Sequence, residues 1–133
     1  MHEPDAQVLH RILDERGGFS HREHLELVWS YLQIHDLEGT RRAVASAIRQ
    51  LAGAHGAPNK YHETITRCWV HLVAVHAARS EAESFDQFVA ENSALLDRRL
   101  LERHYSPGLI SSDQAREDWV KPDLRSLPGR EPV

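Results

Sequence analysis

The chain is 133 residues long, 41% apolar and 27% charged, with a formal charge of −4 and a single cysteine. That length fits one domain, the acidic balance excludes broad electrostatic capture of nucleic acid, and a lone thiol excludes an internal disulfide. No apolar run approaches the ~20 residues that span a bilayer, and the start Met1-His2-Glu3-Pro4-Asp5 lacks a basic-then-apolar signal, so the cytoplasm is the expected compartment and no membrane partner is expected.

Helical periodicity runs through most of the chain. Asp5 is placed to cap a first helix carrying Val8, Leu9, Ile12 and Leu13, which Gly17-Gly18 ends. Ser20 followed by Glu23 reads as a capping box, with Phe19 ahead of it as a staple onto His24 or Leu25. The second helix carries Leu25, Val28, Trp29 and Leu32 at the spacing of one core-facing stripe, with Ile34 as its expected extension. After a break at 36–39, Thr40 is the expected cap of a third helix with the stripe Val44, Ala47, Ile48, Leu51 and Ala52.

Gly56-Ala57-Pro58-Asn59 is the clearest loop signal, and a fourth helix is expected from about Lys60 to about Arg79. Its residues Tyr61, Ile65, Cys68, Trp69, Leu72, Val73 and Val75 make it apolar over more than half its circumference, which predicts a central position. Cys68 lies inside this apolar pattern and reads as a buried, inert thiol. Ser84 begins a short helix with Phe85, Phe88 and Val89, which Asn92-Ser93 breaks. Leu95, Leu96, Leu100 and Leu101 extend a helical face to about His104, Ser106-Pro107-Gly108 reads as a turn, and Ser112 or Asp113 caps a last helix reaching Trp119. The expected fold is all-α, a compact single-domain bundle of about five to six helices over residues 1–121. Residues 122–133, rich in proline and poor in apolar side chains, are expected as an extended, partly disordered tail.

Ten histidines are the chemical peculiarity of the chain. His21 and His24 are spaced i, i+3, which puts both rings on one face of a helix with Cβ atoms ~5–6 Å apart. In a first helical turn the neutral imidazole is favoured over the cation, and neutral imidazole is the form that ligates metal. His62 and Glu63 open the fourth helix in the same way. Were the two helix starts to meet, His21, His24 and His62 would supply nitrogen ligands to zinc, iron or manganese, with Glu63 as fourth ligand or general base on a bound water. H-E-x-x-H is absent, because Thr66 stands where a second metalloprotease histidine would fall. His71 and His76 face different ways, His2, His10, His35 and His55 read as surface or helix-end residues, and His104 is placed to close a pocket at a helix end.

No Gly-rich phosphate loop and no G-x-S-x-G elbow occur. Arg41-Arg42 and Arg98-Arg99 read as solvated helix faces, and the aromatic residues follow core stripes without interleaved basic clusters, so single-strand stacking is excluded.

The segments Phe19-Ser20-His21-Arg22-Glu23-His24-Leu25, Tyr61-His62-Glu63-Thr64-Ile65-Thr66 and Leu100-Leu101-Glu102-Arg103-His104-Tyr105-Ser106 together resemble a family of small uncharacterised bacterial proteins. The resemblance extends from about Phe19 to Asp123, taking in Ser112-Asp113-Gln114-Ala115-Arg116 and Trp119-Val120-Lys121-Pro122-Asp123. It implies a helical cytoplasmic domain and assigns no activity.

Three functions compete on this reading, the third being a metal-free acid–base enzyme that uses His62 and Glu63 in a closed pocket. One is a small metal-binding protein acting as an enzyme on a small molecule through a His/Glu site. The alternative is a metal-free helical interaction module that binds a protein partner or self-associates as a homodimer.

Overall fold

The computed structural model describes residues 3–129. All regular structure among the described residues is helical, with no strand. Among the described residues there are seven α-helices and three 3-10 segments, more than the five or six helices expected, because the second half of the chain breaks into short pieces. Contacts divide the chain into two compact units, Met1–Tyr61 and His62–Val133.

The first unit holds α1 (Glu3–Arg16), α2 (His21–Leu32), α3 (Leu37–Ala54) and a 3-10 turn, Pro58–Lys60. The three helices pack on one another through Leu9 and Ile12, through Leu25, Leu27, Val28 and Tyr31, and through Ala43, Val44 and Ala47, all buried. Burying each of these larger aliphatic side chains stabilises the fold by roughly 1.5–3 kcal/mol, and the small alanines of α3 let its backbone come close. Gly17 follows α1 with φ +70, a left-handed conformation that glycine adopts without steric cost and that lets its N–H reach back to Leu13 O at 3.0 Å.

Two expected caps are corrected here. Asp5 lies inside α1, and its side chain is buried, with Oδ1 accepting from Nε2 of His35 at 2.6 Å. Thr40 also lies inside its helix, fully buried, because Asp36 caps α3 by accepting the Gly39 N–H at 2.7 Å. A carboxylate is the stronger N-cap, so the helix begins at the first good cap available after the break. The capping role of Glu23 holds: its carboxylate accepts the Ser20 N–H at 2.9 Å and the Ser20 hydroxyl at 2.5 Å.

The second unit is built on α4 (Glu63–Ala77), in which residues 68–73 are all buried, as its apolar circumference predicts. It continues through α5 (Phe85–Glu91), 3-10 segments Ser93–Leu96 and Arg98–Arg103, α6 (Pro107–Ile110) and α7 (Asp113–Glu117). Ser84, Ser106 and Ser112 each cap the helix that follows. The continuous helical face expected over 95–104 is interrupted at Asp97, which turns its carboxylate to the Arg99 N–H at 3.0 Å and starts a fresh 3-10 segment. Ser106-Pro107-Gly108, expected as a turn, opens α6 instead, since proline is favoured in a first helical turn.

Beyond α7 the chain runs extended, and side chains from the rest of the unit hold it at intervals. Thr64 Oγ1 donates to Asp118 O at 2.7 Å and accepts the Val120 N–H at 3.2 Å. Tyr105 donates to Val120 O at 2.6 Å, His104 to Arg125 O at 2.9 Å, and His71 to Pro128 O at 2.7 Å. Leu127 is buried. No helix among the described residues is long and apolar enough to cross a membrane.

Candidate functional site

The histidines sort by what their ring nitrogens meet. Six of them make a hydrogen bond within their own unit: His35 to Asp5, His55 to Leu51 O, His62 to Ile110 O, His71 to Pro128 O, His76 to the Asn92 side chain and His104 to Arg125 O. A carbonyl oxygen only accepts, so the nitrogen facing it carries the proton. In the second unit His62, His71 and His104 therefore each donate to a backbone carbonyl distant in the chain.

His62 is the clearest case. Expected in the first turn of α4, it stands one residue earlier as the N-cap, in extended conformation. Its Nδ1 accepts the Ile65 N–H at 3.1 Å and its Nε2 donates to Ile110 O at 2.7 Å. The tautomer is thereby set, with the proton on Nε2 and the Nδ1 lone pair filled. In this arrangement neither nitrogen has a lone pair left for a metal. The bare sequence pattern hid this, because the capping partner is local but the carbonyl lies 48 residues away.

Glu63 occupies the first turn of α4, where a carboxylate complements the helix dipole. Its Oε2 lies 3.7 Å from Nε of Arg67, one turn on, an ion pair longer than a hydrogen bond. Arg67 in turn stacks over Trp119, with Cζ 5.8 Å from the ring centroid.

His21 and His24 lie in the first turn of α2, as the capping box predicts. The Phe19 ring packs beside His24, centroids 6.2 Å apart, completing the expected staple. Nε2 of His24 is buried and has no hydrogen-bond partner among the described residues. Burial, and secondarily the charge of His21, push the His24 imidazole down to about 4, so it stays neutral through the physiological range. Glu23, between them, is committed to the cap. Among the described residues no three His, Cys, Asp or Glu side chains gather into a group able to hold a metal ion.

Cys68 is buried, as its sequence context predicts, and donates to the Tyr105 hydroxyl at 3.6 Å. Asp5 and Tyr31 form a further buried polar pair in the first unit. The Tyr31 hydroxyl donates to Asp5 O at 2.9 Å, and burial together with the nearby Asp5 charge raises its pKa above the ordinary phenol value. Sequence reading missed both, since an isolated Asp and Tyr 26 residues apart carry no local signal.

No family model matches the chain, and no curated protein or solved structure matches it.

Proposed function

We propose that this is a small metal-binding protein whose first turn of α2 takes a divalent transition metal, zinc, iron or manganese, through His21 and His24. The observation that supports this reading is Nε2 of His24: a buried ring nitrogen without a partner on a histidine held neutral. An unfilled buried polar atom costs about 1–3 kcal/mol, and a Lewis acid on a neutral imidazole removes that cost. Six other histidines of the chain find a hydrogen-bond partner, and among the described residues His24 Nε2 is the buried imidazole nitrogen that lacks one. His21 one turn earlier on the same helix adds a second imidazole at a spacing that a single ion accepts. A metal so held would supply Lewis-acid chemistry to a bound water or small substrate in its remaining positions.

Metal analysis of untagged protein, grown and titrated with each ion under metal-replete conditions, tests this. One equivalent is expected in wild type and in His62→Asn, and none in His21→Ala or His24→Ala. Wild type without stoichiometric metal, or a His24→Ala variant that keeps it, overturns the reading.

The alternative, a metal-free interaction module that self-associates, draws on Ile34 and Leu37, both 47% exposed at the α2–α3 corner. Sedimentation equilibrium of wild type against Ile34→Asp with Leu37→Asp decides it: a dimer lost in the double variant supports the module, and a monomer at all concentrations removes it.

A further inference from the structure

Two buried side-chain donors of the second unit have no hydrogen-bond partner among the described residues, and they sit together: Nε of Arg67 and Nε1 of Trp119. The other two unpartnered buried side-chain atoms, His24 Nε2 and Thr40 Oγ1, belong to the first unit. Arg67 Cζ lies over the Trp119 ring, 5.8 Å from its centroid, so the two side chains are neighbours. The Arg67 side chain is only 14% exposed.

The backbone around Trp119 is fixed against α4. Its two chain neighbours are tied to a single hydroxyl, with Thr64 donating to Asp118 O and accepting from Val120 N, while the Trp119 N–H goes to Asp118 Oδ1 at 2.7 Å. Thr64 precedes Arg67 by less than one turn of α4, so the helix that presents the guanidinium also positions the indole. The donors are thus preorganised, and orphaned buried donors on rigid elements mark a place where an acceptor belongs.

Charge selects the acceptor. Oε2 of Glu63 stands 3.7 Å from Arg67 Nε, near enough to balance the guanidinium and too far to satisfy its N–H. An incoming anion would meet the Glu63 carboxylate, whereas a neutral oxygen accepts an N–H here without that repulsion. We infer that Arg67 and Trp119 form a binding site for a small ligand presenting a neutral carbonyl oxygen, of the amide class, with Glu63 excluding carboxylates and Thr64 acting as the positioning residue.

The test is a titration of the full-length, 15N-labelled protein with acetamide and, separately, with acetate at constant ionic strength. The readout is the Trp119 indole N–H resonance, assigned by its absence in Trp119→Phe. Acetamide is expected to shift it saturably in the millimolar range, as befits so small a ligand, and acetate is not. Arg67→Lys, which keeps charge and removes the Nε–H fork, and Thr64→Val are each expected to weaken acetamide binding by about tenfold, the scale of one lost buried hydrogen bond. Glu63→Gln is expected to admit acetate. If Thr64→Val loses its amide dispersion, Arg67→Lys alone carries the comparison. A linear, unsaturable response to acetamide means the donors are satisfied by an ordinary buried water, and overturns the proposal. Saturation by acetate in preference to acetamide overturns the charge argument and the ligand class with it.

Discussion

Nε2 of His62 donates to the carbonyl of Ile110 at 2.7 Å, while Nδ1 of the same ring accepts the Ile65 N–H that opens α4. One imidazole therefore caps a helix and ties α6 to its first turn. The two bonds demand one tautomer and leave no lone pair over, which is why the histidine most suggestive of catalysis in the sequence acts here as a structural clip.

Replacing His62 separates its two tasks. His62→Ala is expected to lose the cap and the clip, about 2–3 kcal/mol together. His62→Asn keeps a good N-cap but is too short for Ile110, so about 1 kcal/mol of that loss should return. Denaturant unfolding of both variants measures the split; equal losses would contradict the capping role.

The clip from His71 to Pro128 is partly buried, and Gly129 follows it with φ +72. A Cβ on Gly129 would stand 2.9 Å from Cγ2 of Val75, in a backbone conformation that L side chains rarely adopt. Gly129→Ala and His71→Phe are both expected to release the C-terminal strap, each costing roughly 1–3 kcal/mol. Hydrogen exchange should report faster exchange at Leu124, whose N–H is bonded to His104 O, with the first unit unchanged.

Acid should weaken the fold through His24. Its folded pKa of about 4 lies below the 6.5 of a free imidazole, so between those values the unfolded chain binds the proton and the folded chain does not. The stabilisation is complete above pH 6.5 and is lost as pH falls to about 4; the gap corresponds to at most ~3 kcal/mol. In His24→Phe, stability should vary less with pH across this window. An unchanged slope would show that the ring protonates freely in the folded state.

Tyr105 receives the Cys68 thiol and donates to Val120 O at 2.6 Å, both within the buried interior. Tyr105→Phe strands the Val120 carbonyl and the thiol while leaving the ring's packing intact, and is expected to cost about 1–2 kcal/mol in urea unfolding with an unchanged m-value. Cys68→Ala, which vacates less polar surface, tests whether the thiol contributes beyond its volume.

Much of the fold was readable residue by residue. The stripes of α1 to α4, the Ser20–Glu23 box, the stop at Gly17 and the serine caps at Ser84 and Ser112 are local devices, and local spacing predicts them. Thr40 misled because Asp36, four residues earlier, offered a good cap of its own, and Asp5 because its carboxylate accepts from His35, 30 residues away. The helical face expected over 95–104 broke because Asp97 offered a competing start, and the turn expected at 106–108 became the first turn of α6.

What the sequence determined by itself is an all-helical chain with an unusual supply of imidazole and one especially apolar helix. What tertiary structure alone decided is the use of those rings. An imidazole becomes a clip, a cap or an open ligand according to which carbonyl or N–H reaches it, and those partners lie 21 to 57 residues off in the chain for His104, His62 and His71. The sequence carries periodicity at the scale of one helical turn; hydrogen-bond satisfaction of a buried polar ring is settled at the scale of the folded unit, where the cost of leaving it unmade is felt.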